Sequence, residues 1–193
     1  MTLKAISLIG LVSASAATVG YATRVAMNPE EEHLSQTSLR SGPSEELLFV
    51  VVASSFCVGA RDPHFPDVIG SARKLVESEA RRRGFGFGAI AVDVDWSVTD
   101  GLAFVNKLGA FDEVVVGRNW LNSGIEHFIN PALAPLSVPQ ILVIKRHIDV
   151  AASAVAISDA VLIARAAGSD GIATWVASTT PFSETPRRMV NQR

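Results

Sequence analysis

The chain has 193 residues, a formal net charge of −2 and a single cysteine. That length holds one domain with a sizeable core plus an appendage. The near-neutral charge gives no electrostatic footprint for nucleic acid, and a lone cysteine excludes an internal disulfide.

Mean hydropathy is +0.30, and part of that excess lies at the N-terminus. Between Lys4 and Arg24, residues 5–23 carry no charge, and a bilayer-spanning helix needs roughly 17–25 predominantly apolar residues. The Ala, Ser and Gly content suits close helix packing within a membrane. As an uncleaved anchor the run places Tyr21 and Arg24 at the interface. As a signal peptide it uses 6–12 as its apolar core and Ala14-Ser15-Ala16 as the small-residue cleavage site. A buried helix of a soluble domain is a third reading. The anchor is preferred, so residues 1–27 are expected to be a membrane anchor or signal segment. Lys4 on one side and Glu30-Glu31-Glu32 on the other follow the positive-inside rule. The C-terminal domain is then expected outside the cytoplasm, on the periplasmic side if the source is bacterial, or secreted after cleavage.

Residues 28–44 are polar, without hydrophobic period, and read as a linker. From residue 45 the elements alternate. An apolar run predicts a strand over 47–53, and helical spacing predicts a helix over 64–83 with Val68, Ile69, Ala72, Leu75, Val76 and Ala80 on one face. A glycine-rich turn at 84–88 opens a strand over 89–94. Ser97 or Thr99 caps a helix that runs to 108 and is closed by Gly109. A strand over 113–117 and a short helix over 119–129, ended by Pro131, follow. Pro139 precedes a strand over 140–145, a polar turn at 146–149 and a strand over 150–157. Ser158 and Asp159 begin a helix over 160–167, stopped by Gly168, and 178–193 is a loose polar tail. Strand–helix–strand units imply parallel pairs with right-handed crossovers, and the last two strands form a hairpin. The fold class expected is α/β, a three-layer sandwich with a mixed central sheet over residues 45–177.

Cys57 falls where the first strand gives way to the first helix. A thiol at a helix N-terminus faces unpaired N–H groups and the positive end of the dipole, which favour the thiolate. The competing reading is a small, part-buried apolar residue. His64, seven residues on, either tunes that thiol or caps the helix. The remaining histidines, His33, His127 and His147, have no metal-ligand spacing, so no metal is implied, and no cofactor motif appears. Asp93, Asp95 and Asp100 suggest a carboxylate cluster, but alternation with Val92 and Val94 is what a strand end gives, so loop carboxylates are expected. The 84–88 glycines lack the spacing of a phosphate loop. Arg81-Arg82-Arg83 suit a helix C-terminus. Trp96, Trp120 and Trp175 are expected as core or flap anchors.

The element order, with Phe56-Cys57 after the first strand and Val138-Pro139 before the hairpin, resembles the thioredoxin fold over residues 45–177. The resemblance implies an active-site run at Phe56-Cys57-Val58-Gly59-Ala60, in which Ala60 replaces the second cysteine, and a cis proline at Pro139 facing the sulfur. Val51 stands where thioredoxins often bury an aspartate, and the stretch 111–135 is longer than the family's usual link. The peroxiredoxin branch carries a Ser or Thr three residues before its cysteine. Ser54 meets that condition, but Val50 stands where the preceding proline belongs. The resemblance thus implies the fold without dithiol chemistry. The expected function is a membrane-tethered binding or structural accessory subunit, held through residues 5–23, with Phe56, Trp120, Val138 and Pro139 toward a protein partner. The alternative is a monothiol oxidoreductase or peroxidase-like enzyme using Cys57.

Overall fold

Residues 47–53 are all buried, and their uninterrupted apolar character marks a strand covered on both faces. In the computed structural model, which describes residues 44–151, 154–182 and 187–189, this strand is β1 (Glu45–Ala53), at the centre of a mixed sheet. The anchor expected at 1–27 and the linker up to residue 43 lie outside the described residues. Among the described residues no helix is long and apolar enough to cross a membrane.

β1 leads through a 3-10 turn (Gly59–Arg61) to helix α1 (Phe65–Arg83). Phe65, Ile69, Ala72, Val76 and Ala80 form its buried stripe. Gly84 ends the helix at φ 72°, a left-handed conformation that costs glycine little, and its N–H reaches the Ala80 and Arg81 carbonyls. β2 (Gly86–Asp93) runs parallel to β1, with Phe49 opposite Ala89. Ser97 then caps α2 (Val98–Leu108) by accepting from the Asp100 N–H. The crossover ends in β3 (Glu113–Val115), a parallel edge strand beside β2.

The last third differs from expectation. β4 (Gln140–Ala151) and β5 (Ala154–Ala167) form a long antiparallel hairpin, and the helix expected over 160–167 is strand. Ala160, Ala164, Ala166 and Ala167 favour helix by at most a few tenths of a kcal/mol each over alternatives. Pairing Val143 with Ala164 and Ile141 with Ala166 instead completes the ladder beside β4 and buries Leu162, Ala164 and Ala166. The helix starts only after Gly168, as α3 (Ser169–Ala177). Nor is the tail wholly loose: β6 (Arg187–Arg188) pairs with β5, Met189 is buried, and Phe182 packs edge-on to Trp175.

The sheet order is β3-β2-β1-β4-β5-β6. Leu47, Phe49 and Val51 face a core closed by all three α-helices. Leu48, Val50 and Val52 face a second core, covered from the other side by Ile125, Ile129 and Ala132. The cover there is thin: a 3-10 turn (Asn119–Leu121), a five-residue π-helical turn (Ile125–Ile129) and the loop that follows. The sandwich therefore has unequal outer layers, because 111–139 supplies no full helix.

Candidate functional site around Cys57

The carboxyl end of β1 hands the chain into a tight turn. The Cys57 N–H donates to the Ser54 carbonyl at 3.1 Å, and the Cys57 carbonyl accepts from Ala60 and Arg61 N–H groups at 3.1 Å each. Helix α1 begins only at Phe65. Cys57 therefore does not sit at an α-helix N-terminus, and the dipole argument for its thiolate falls away. The His64 backbone N–H bonds the Asp62 carboxylate at 2.8 Å, and the His64 side chain makes no capping bond.

Facing the turn, the Val138–Pro139 peptide is cis. The half-buried Cys57 thiol donates to the Val138 carbonyl at 3.1 Å. The Pro139 carbonyl accepts from Gly168 N–H at 2.8 Å, and Ser169 Oγ donates to the Gly59 carbonyl at 2.6 Å, which locks the 3-10 turn against the start of α3. Gln140, fully buried, donates to the Pro135 and Ser137 carbonyls at 3.2 and 2.8 Å. Arg165 on β5 supports it, donating to Gln140 Oε1 at 2.9 Å and Ser137 Oγ at 3.2 Å. Nothing local in the sequence announces this bracing, since it joins residues 25 and 28 apart.

Two carboxylates at the end of β2 are also buried, contrary to the loop reading; only Asp100 is exposed. Asp95 accepts from Ser54 Oγ and from the Ser55 N–H at 3.1 Å, so it clamps the turn that carries Cys57. Ser54 is thereby committed to Asp95 and not directed at the thiol, which removes the support for a peroxiredoxin-like site. Asp93 accepts from the Asp95 N–H at 3.0 Å through Oδ1, while Oδ2 has no partner among the described residues. Burial, reinforced by the neighbouring Asp95 charge, pushes Asp93 up to about 6, against the opposing pull of that N–H bond. Gly101 of α2 packs directly on it: a Cβ there would overlap the Asp93 carboxylate.

Large apolar side chains stand exposed on the loops at this end of the sheet. Phe56 is 66% and Val58 84% exposed beside the thiol, and Trp96 is 70% exposed after β2. Leu121, Leu133 and Leu136 are exposed on the long segment before Pro139. Trp96 is thus no core anchor. Trp120 is half-buried against the second core, and Trp175 packs against the first. The parallel β1–β2 pair, the antiparallel β4 and β5 and the terminal α3 put the thiol turn and the proline loop side by side. The fold is thioredoxin-like.

No family model matches the chain, and no curated protein matches it. Among solved structures it is similar to a thiol:disulfide interchange protein, a thioredoxin family protein from Chlorobium tepidum TLS, at 14% identity and a TM-score of 0.32. That match covers 74% of this chain and 85% of the other. The fold assignment rests on strand order, direction and connection.

Within this thioredoxin-like frame, the site has one thiol and no second sulfur to resolve a mixed disulfide. Ala60, where the resemblance implies the second cysteine would stand, is 5% exposed. A disulfide formed at Cys57 can be broken only by a thiol from another molecule. Among the described residues no group of three metal-ligating side chains gathers.

Proposed function

We propose that the chain is a thioredoxin-like binding module that docks a protein partner at the thiol mouth and performs no dithiol exchange. In this reading residues 5–23 tether it to a membrane, with the folded domain outside the cytoplasm, as an accessory subunit of a membrane-associated complex. One observation carries the proposal: the chain has a single thiol, Cys57, while Phe56, Val58, Trp96 and Leu121 stay exposed on the loops at this end of the sheet. Large apolar side chains left exposed at loop tips mark interaction surfaces, and aromatic residues such as Trp are enriched among the anchors of protein interfaces. The uncharged run of 5–23 supports the tether.

Mild-detergent extraction from the native membrane, followed by native electrophoresis, tests this. The wild type is expected to migrate with other polypeptides. The double variant Phe56→Ser/Trp96→Ser is expected to migrate alone with an unchanged circular dichroism spectrum. Co-migration that survives the double substitution overturns the docking surface. Intact-mass measurement on the same material is expected to retain residues 1–27, and a mature N-terminus at Ala17 removes the tether.

The half-buried thiol favours a second reading, a monothiol nucleophile that forms mixed disulfides. To attack, Cys57 must first release its hydrogen bond to the Val138 carbonyl. Titration with a thiol reagent separates the two. Rapid labelling of the folded protein, with a midpoint well below the reference of about 8.5, establishes the nucleophile. Labelling only on unfolding excludes it.

A further inference from the structure

The thin cover on the second face of the sheet leaves a cavity of about 460 Å³ beneath the π-helical turn. It stands apart from the thiol mouth and is independent of the reading above. Small-molecule sites are clefts of roughly 300–1,000 Å³ with an apolar lining and a few placed polar groups, and this cleft has that make-up. Its floor is Leu48, Ile90 and Ile144, with Phe128 as a wall. Residues of β3, β2, β1, β4 and β5 all line it. Four inter-strand steps of about 4.8 Å each make it about 19 Å long.

The cleft is electrostatically polarised. Glu113 on β3 and Glu126 on the π-helical turn are exposed and make no ion pair among the described residues. Arg146, toward the other end on β4, is already neutralised by Glu46. A floor without hydrogen-bonding side chains selects for an alkyl or aryl body by area removed from water. Glu113 on the edge strand and Glu126, two residues after the Gly124 that packs on Val92 of the adjacent β2, are carboxylates without an ion pair among the described residues, and they then select the charge of the head group. We propose that this cleft binds an elongated apolar molecule bearing a cationic group, such as a long-chain amine, with the cation between Glu113 and Glu126.

Octylammonium and octanoate, both below their micelle concentrations at pH 8, serve as probes of equal length and opposite charge. The readout is the methyl resonance of Met189, which lines the cleft, in full-length protein carrying 13C-methyl methionine. The chain has three methionines, Met1, Met27 and Met189, so the signals separate. Octylammonium is expected to shift Met189 with a Kd at least tenfold below that of octanoate. Glu113→Gln/Glu126→Gln is expected to bring the two within twofold, and Ala160→Trp, which fills the cleft, to weaken both at least tenfold. Both glutamates are exposed, so the double variant remains decisive should the tryptophan disturb folding. Equal affinities in the wild type, a preference that survives the glutamine pair, or a Met189 signal that does not move each overturns the proposal.

Discussion

Asp93→Asn isolates the cost of placing a carboxylate beneath α2. Burial raises this group from 3.8 to about 6, so the folded state holds its proton more tightly than the unfolded chain does. Unfolding between those two values releases a proton, and stability therefore falls as pH rises through that window. Below 3.8 the carboxyl is neutral in both states and the penalty is absent. Above about 6 it is fully present. At 1.36 kcal/mol per pKa unit, the shift amounts to about 3 kcal/mol. Asparagine keeps the shape and can still accept the Asp95 N–H bond, but it does not titrate. The stability of the variant relative to wild type should therefore rise by about 3 kcal/mol between pH 3.5 and pH 7.5. Urea unfolding followed by tryptophan fluorescence reads this as a relative midpoint gain of about 2 M, for a slope of about 1.5 kcal/mol/M. If wild type and variant keep a constant gap across that range, Asp93 does not titrate as a buried, under-satisfied acid and the reasoning fails.

Gly101→Ala should destabilise the protein by about 1–3 kcal/mol in thermal melts, because overlap with the Asp93 carboxylate outweighs alanine's helix advantage of about 1 kcal/mol. Cys57→Ser should cost about 1 kcal/mol or less in the same melts, since a hydroxyl can still donate to the Val138 carbonyl and no disulfide is lost. Glu79, held down to about 2 first by its hydrogen bond from Arg82 and then by Arg83 against the cost of burial, contributes stability that is present above pH 4.5 and lost as pH falls through about 2. Because Arg82 is largely exposed, Glu79→Gln should cost about 1 kcal/mol or less at pH 7. That cost should vanish in urea titrations carried out near pH 2.

Local pattern was legible where one element alone decides the outcome. The seven apolar residues of β1, the stripe on α1, a cap at Ser97 or Thr99 and the glycine-rich turn at 84–88 are each written within a few neighbouring positions. Helix α1 accordingly begins within one residue of its expected start. The run Phe56-Cys57-Val58-Gly59-Ala60 and the Val138-Pro139 pair were equally local, and the structure joins them through the thiol–carbonyl bond. What the sequence by itself determined was therefore the order of the elements as far as β4, the absence of a second cysteine, and the two loops that meet.

Only tertiary structure decided the rest, because each remaining outcome depends on residues far apart in the chain. Ala160–Ala167 reads as helix until β4 offers a ladder, and pairing then outweighs a weak propensity. Asp93 and Asp95 read as loop carboxylates until Ser54, 41 residues from Asp95, and Gly101 of α2 close over them. The exposure of Trp96 has the same origin: position along the chain places it just past β2, but which loops leave room above it is fixed by packing. The cleft under the π-helical turn exists because five strands are covered by a segment too short to shield them, a mismatch of lengths that appears only when the sheet is assembled.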